Sequence, residues 1–564
     1  MHHDEREALL TRAAEAGVAA QDLDRIRAVF DSYEYVTELI EQKNQTLGRL
    51  RGMIFGSRTE SRANVLGRDR PRAAETPPAT GEPAQAPASG PPANAGSAPA
   101  ETAAPQPRPK VPGHGRRAAE DYTGAELVTL KVPGLRPGDE CPACHAGTLY
   151  ERTRPGVLIR FTGHAPVHAT IYELQKLRCQ ACGQLSTATP PAEVADAPKY
   201  DPTVGAAIGV LKYGAGVPFH RVERLQDYAG APLAASTQWM LVATAAAAYR
   251  PAYEELIRLA AQGELLHNDD TTARILASMG RRREKALQAQ AARGEAAAAT
   301  PLIDEERTGI FTTNVLAELG GRRIALYFTG GRHAGENLNE VLRRRAADLP
   351  PPLQMCDALS RNYPAEFQTL VGNCLAHGRR RFIDIKDNFL QECERVLNAF
   401  AVVYQADAEA REGGFSPEQR LQHHQTVSGP VLRQLREWLD DCVTKHLVEP
   451  NSGLGAAIDY LRRHWTQLTL FLRRAGAPLD NNVCERALKK AILHRKNALF
   501  YKTQRGADVG DIHMTLIHTC ELCGANPFEY LTELQRHAEA VEAAPAEWLP
   551  WNYRDALAAL APTA

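Results

Sequence analysis

The 564-residue sequence lacks any uninterrupted apolar run of the roughly 18 to 20 residues that a bilayer span requires, so a membrane-spanning helix is excluded as an expectation. No apolar stretch follows Met1-His2-His3-Asp4, which argues against a secretion signal and for a cytoplasmic protein. Net charge of one sign is also missing. The formal value is −1, from 66 Lys and Arg against 67 Asp and Glu, so attraction to any polyanion must come from local patches. Aromatic residues make up only 6%. Eleven cysteines, an odd number, in a chain without a secretion signal point to reduced thiols and a metal site instead of a disulfide framework.

A chain of this length builds several cores. Residues 1–65 read as helical, with Tyr33, Val36, Ile40, Lys43, Leu47, Leu50 and Ile54 forming a short heptad seam. That seam suits either a homo-oligomer contact or packing within its own domain. Residues 66–119 are rich in Pro, Ala, Gly and Glu and are expected to form a disordered tether. No acid occurs from Thr102 to Ala119, so Arg116 and Arg117 belong either to a phosphate-binding arm or to a solvated linker end. Residues 120–195 hold Cys141-Pro-Ala-Cys144 and Cys179-Gln-Ala-Cys182, two CxxC pairs with 34 residues between them. Four thiolates at this spacing predict a closed, structural Zn²⁺ site of the zinc-ribbon type. Cys520-Glu-Leu-Cys523 has no second pair and reads as core.

Residues 196–262 read as three helices separated by glycine-containing turns, consistent with a helix-turn-helix-like DNA-binding unit. From residue 263 the pattern changes to strands at Leu265–Asp269, Ile310–Leu316, Ile324–Phe328, Leu353–Cys356 and Leu370–Leu375, with helices between and after them. This is an α/β unit on one mixed sheet, with a charged, Ala-rich insert at about 279–306. Asp269 and Asp357 each fall at the end of a predicted strand, where open α/β sheets present functional groups. Asp480 or Asn481 is a candidate N-cap that places Glu485 on the first turns of a helix. Carboxylates gathered in this way suit hard cations such as Mg²⁺ or Mn²⁺. From Arg486 to Arg505 there are seven Lys or Arg and no acid, including Lys490, Arg495 and Lys496, and Arg379-Arg380-Arg381 forms a second basic patch. Both suit DNA phosphates.

Taken in order, these blocks resemble the transposases of the insertion-sequence 66 family. The resemblance rests on Ile54-Phe55-Gly56-Ser57-Arg58, the two CxxC pairs, His267-Asn268-Asp269-Asp270-Thr271 and Ala376-His377-Gly378-Arg379-Arg380. It continues through Asp480-Asn481-Asn482 to Glu485-Arg486, Arg495-Lys496-Asn497, Asn526-Pro527-Phe528 and Leu549-Pro550-Trp551. Asp270 stands where the family usually carries Glu, and Asp357-Ala358-Leu359 where it usually reads Asp-Gly-Tyr.

The resemblance implies a multidomain α+β protein. Its parts would be a zinc ribbon, an RNase H-like DDE core at 263–515 with a large helical insertion, and a C-terminal segment at 516–564. It further implies that Asp269, Asp357 and Glu485 are the catalytic metal ligands and that the strands carrying the two aspartates are neighbours. The expected activity is metal-dependent cleavage at element ends followed by strand transfer into target DNA. Double-stranded DNA is then the partner, with Arg379, Arg380, Arg381, Arg486, Lys490, Arg495 and Lys496 facing its backbone, and element-encoded accessory proteins are further candidate partners. The alternatives are a non-catalytic zinc-containing DNA-binding protein and a metal nuclease that cuts without joining.

Overall fold

The computed structural model describes residues 3–30, 136–139, 149, 166–178, 185–285 and 309–560. The tether, the heptad seam, Arg116, Arg117 and all four paired cysteines lie outside the described residues. The chain divides into two compact units, residues 1–70 with 165–564, and residues 71–164. In the second unit Gly138 N–H donates to the Leu149 carbonyl and Leu149 N–H to the Asp139 carbonyl, both at 2.8 Å. All further description concerns the first unit.

Helix α1 (His3–Glu15) opens the chain. Strands β1 (Lys176–Arg178) and β2 (Leu185–Thr187) form a small antiparallel pair that flanks the second CxxC motif in sequence. Helices α2 (Pro202–Gly209), α3 (Phe219–Tyr228) and α4 (Ala235–Ala260) follow. The main sheet contains β3 (Leu265–Thr272), β4 (Phe311–Leu319), β5 (Arg322–Gly330), β6 (Leu353–Cys356) and β7 (Leu370–Asn373), in the order β5-β4-β3-β6-β7. The β3–β4 and β4–β5 pairs are antiparallel, while β6 pairs in parallel with both β3 and β7. The β4–β5 hairpin turns on Gly320 and Gly321, both at positive φ (53° and 77°). Two consecutive left-handed residues match the turn to the strand twist, and a side chain at either position would be strained.

The parallel connection from β5 to β6 runs through α5 (Ala334–Leu342), and β7 leads into a helical insertion of four main helices. These are α6 (Leu375–Ile385), α7 (Leu390–Glu412), α8 (Pro417–Thr444) and α9 (Gly453–Arg463). Phe382, Phe400, Leu439, Ile458 and Phe471 form a core for this insertion separate from that of the sheet. The chain returns through α10 (Asn482–Ala498), α11 (Gln504–Cys523) and α12 (Pro527–Arg536). Helices α2, α4, α11 and α12 share one hydrophobic core with the sheet, built on residues such as Ile208, Tyr249, Leu326, Ile517 and Tyr530. The segments at 196–262 and 516–564 are therefore welded to the sheet by common burial. No described helix is long and apolar enough to cross a membrane.

β5 is an edge strand, and α11 closes it with side chains. Thr329 N–H donates to Asp511 (2.6 Å), Tyr327 N–H to Thr515 Oγ1 (3.0 Å) and Ala325 N–H to Thr519 Oγ1 (3.2 Å). Four helical residues rise about 6 Å, close to the ~6.7 Å spanned by two strand residues, so a repeat of four on α11 tracks alternate amides of β5. The sheet edge is thereby denied to other strands. Thr515→Val removes the acceptor for a buried amide and is expected to destabilise the fold by about 1–3 kcal/mol, read by chemical denaturation. A loss below ~0.5 kcal/mol would show that the ladder contributes only shape.

A candidate metal centre

β3 and β6 lie side by side with Leu265 opposite Leu353, Leu266 opposite Gln354 and His267 opposite Met355. Asp269 and Asp357 each stand two residues beyond the last of these pairs. Side chains alternate with period two, so an equal offset on parallel neighbours brings the two carboxylates to the same face. Buried charge reports the same proximity. The Asp269 carboxyl is pushed up to about 7, first by burial and then by the nearby Asp357, with Asp270 and Glu485 adding to the effect. It accepts one hydrogen bond, from Asp270 N–H at 2.8 Å, which opposes the shift. Asp357 is also raised by burial, against the opposing influence of His377 and Arg361. The Asn362 amide and Leu359 N–H donate to one of its oxygens.

Glu485 arrives from the other side of the sequence, on the first turn of α10. Asn481 fixes where that helix begins. It is fully buried, donates to the Asn268 carbonyl (3.1 Å), pairs with His267 Nδ1 (2.9 Å) and offers its own N–H to Cys374 Sγ (3.2 Å). One asparagine thus ties the start of the glutamate helix to the strand of the first aspartate. Burial holds His267 down at about 4, so its ring stays neutral in this contact. One residue before Glu485, Cys484 Sγ meets the Asn314 side chain at 3.4 Å, and Asn314 pairs with Asp269 across β3 and β4.

Asp270 turns away from this group. Its side chain, 1% exposed, takes His333 Nδ1, Ala334 N–H and the Arg361 guanidinium, each at 3.2 Å. Asp270 is thus taken up by the start of α5 and by Arg361.

Glu485 Oε1 is buried without a hydrogen-bond partner, as is His377 Nδ1. His377 Nε2 lies 3.7 Å from Glu485 Oε1, and Cys374 completes a set of ligand atoms within 4.8 Å of one another. The Cys374 thiol is an unready ligand, because burial raises its pKa far above the ordinary value. The oxygen donors of Asp269, Asp357 and Glu485 fit a hard divalent cation better than a soft one. Among the described residues the close set of ligand atoms holds Glu485 with Cys374 and His377 and neither aspartate, while Asp269 and Asp357, both raised by burial, are what a cation of two positive charges would compensate.

The basic residues are placed less uniformly. Arg486 and Lys496 are exposed along α10, whereas Lys490 is held by Glu521 at 2.6 Å. Arg495 reaches back to Thr271 and Thr272 of β3. On α6, Arg379 is nearly buried, Arg380 is exposed, and Arg381 stacks 4.0 Å over the Tyr460 ring. Asn481, one of the two N-cap candidates in the sequence, stands at the N-cap of α10, whereas His377 is quoted there within a motif without a role.

The sequence profile of the Transposase IS66 family matches residues 199–509, a span that includes every part of this site. The chain is 28% identical over 439 residues to the uncharacterized protein y4jD of Sinorhizobium fredii, covering 74% of this chain and 79% of that one. It is 27% identical over 406 residues to the uncharacterized protein y4hP of the same organism, covering 68% of each. With over half of its length inside the family profile, the chain belongs to the IS66 family of transposases.

Proposed function

We propose that the protein cuts and joins DNA, with Asp269, Asp357 and Glu485 holding two Mg²⁺ or Mn²⁺ ions in an RNase H-like core. The observation that carries this reading is the equal offset of Asp269 and Asp357 from the paired residues of the parallel β3 and β6, and the tie of Asn481, at the start of the Glu485 helix, to β3 supports it. The strand order supports it, since the first aspartate lies on the central strand and the second on its parallel neighbour. Bound ions of this kind supply charge stabilisation for in-line displacement at phosphorus and activate the attacking oxygen. The chain's own residues do the positioning. Asn362 orients Asp357, Asn481 fixes the start of the helix that carries Glu485, and His377 stands 3.7 Å from Glu485. The exposed Arg486, Arg380 and Lys496 neutralise phosphates along the DNA, and the helical insertion forms a wall beside the site.

The test is incubation of the full chain with element-end DNA, Mg²⁺ and a target plasmid. Cleavage at the end and covalent joining are expected. Cleavage without joining would identify a nuclease, and binding without either would identify a non-catalytic DNA-binding protein.

The two CxxC pairs support a structural zinc site in the same protein. Metal analysis should give about one Zn²⁺ per chain, lost in a Cys141→Ser, Cys144→Ser variant. Zinc-free protein from chelator-free purification would remove the assignment.

A further inference from the structure

Helix α10 ends where no helix would be expected to place a large apolar pair. Its C-terminal cap is Leu499, with φ at 68°, a conformation that side chains other than Gly and Asn rarely take. Leu499 is 59% exposed and Phe500 38% exposed, so neither is repaid by burial. The backbone around them is nevertheless fixed. Tyr501 N–H donates to the Arg274 carbonyl and Leu276 N–H to the Tyr501 carbonyl, both at 2.9 Å, stitching the segment to the chain that leaves β3. The Tyr501 ring stacks on His494 at 4.8 Å. On the other side, Asn497 donates to the Gly216 carbonyl at 3.1 Å. The result is a rigid apolar knuckle, beside a shallow cleft lined by Thr271, Thr272, Arg274 and Arg495.

Charge decides what the knuckle meets. It sits between the exposed Lys496 and Lys502, inside the stretch from Arg486 to Arg505 that contains no acid. A protein partner seated on a bare apolar pair would not require these flanking lysines, whereas a polyanion with flat apolar bases inside it would. Apolar side chains that enter a base step of duplex DNA unstack and kink it.

Resting on the reading above that the chain acts on DNA, we infer that Leu499 and Phe500 form a wedge that opens a base step of the bound duplex. At about 1.5 Å per residue, Leu499 lies roughly 20 Å along α10 from Glu485. That distance corresponds to about six base-pair steps at 3.4 Å each. The wedge therefore engages the DNA flank about that far from Glu485, with the exposed Lys496 beside it for the adjoining backbone.

The test compares the full chain on a matched 30-base-pair duplex and on the same duplex with one central mismatch, by fluorescence anisotropy at fixed salt. A mismatch removes part of the unstacking cost, so the wild type should bind it roughly tenfold tighter. A 2-aminopurine beside the mismatch should brighten on binding. The Leu499→Asn, Phe500→Ser variant keeps a residue that accepts the left-handed backbone, should melt at or above the wild type, and should lose the preference. Equal binding of both duplexes by the wild type, or a preference that survives in the variant, would overturn the wedge. Loss of self-association in the variant without change in DNA binding would show the knuckle to be a contact between copies and also overturn it. Failure to bind either duplex would instead remove the underlying reading that the chain acts on DNA.

Discussion

Asp269→Asn, Asp357→Asn and Glu485→Gln should each lower Mg²⁺-dependent cleavage by at least on the order of 10² to 10³, leaving DNA binding nearly unchanged. A second readout separates loss of a ligand from loss of the fold. Asp269 is buried and its carboxyl is pushed up to about 7, so at pH 8 without metal it sits charged in an unfavourable place. A folded-state pKa above the unfolded value contributes stability below about 4, and that contribution is lost as pH rises through 7. The neutral amide escapes this loss. Asp269→Asn should therefore be at least as stable as the wild type at pH 8 while being inactive. Added Mg²⁺ or Mn²⁺ should raise the melting temperature of the wild type by mass action and not that of the variants. Asp270→Asn is the contrast, because it breaks contacts to His333, Ala334 and Arg361 and should lose stability before it loses metal response. Near-normal cleavage by Asp357→Asn would show that the second ligand lies elsewhere, with Asp348 and Asp384 next to be tried.

Much of this site was legible because its signals are local. The β-type runs at Ile310–Leu316 and Ile324–Phe328 fall on β4 and β5, and Leu265-Leu266 leading to Asp269 read as a strand that ends there, whereas β3 continues past Asp269 to Thr272. The block from Asp480 to Glu485 marks a helix start, which the structure places one residue after Asn481. Cys520 read as core and is fully buried. What was not legible depends on pairing between distant segments. The β3–β6 register, which sets Asp269 against Asp357, is a relation between segments almost 90 residues apart that no periodicity encodes. Helices α2 to α4 read as a unit of their own, because three helices separated by glycine-containing turns look like many small DNA-binding modules. Only the burial of Tyr249, Leu256 and their neighbours against the sheet shows them sharing its core. The α11 ladder was hidden for the opposite reason. Asp511, Thr515 and Thr519 repeat every fourth residue like a solvated helix face, yet they are buried against β5.

Four buried histidines should make the core around α10 and α11 lose stability in mild acid. His267 and His513 are held at about 4, and His494 and His518 at about 3, in each case first by burial. A histidine whose folded pKa is depressed stays neutral while the unfolded chain begins to take up its proton near pH 6.5. Stability is then present above that pH and lost as pH falls from about 6.5 toward 4. At pH 5 each such group costs about 2 kcal/mol, or roughly 8 kcal/mol for the four together. Asp269 and Asp511 offset roughly 5 kcal/mol of this between pH 7 and pH 5, since carboxyls raised to about 7 and about 8 bind protons in the folded state first, leaving a net loss of about 3 kcal/mol.

The contribution of a single group can be isolated at His494. Its ring is stacked between Tyr213 at 5.7 Å and Tyr501 at 4.8 Å, and its buried Nε2 has no hydrogen-bond partner. The buried Lys212 adds a positive charge that further disfavours its protonation. His494→Phe keeps the aromatic stack and removes the proton site without orphaning a partner of that nitrogen. Denaturation midpoints at pH 7.5 and pH 5 should show the variant gaining about 2 kcal/mol on the wild type between the two. An identical pH dependence for both proteins would mean that His494 is protonated in the fold and that its surroundings admit water. His513 is the poorer choice for this test, because its Nε2 is bonded to the Val242 carbonyl and its other nitrogen presses on Gly209, so a change there alters packing as well as charge.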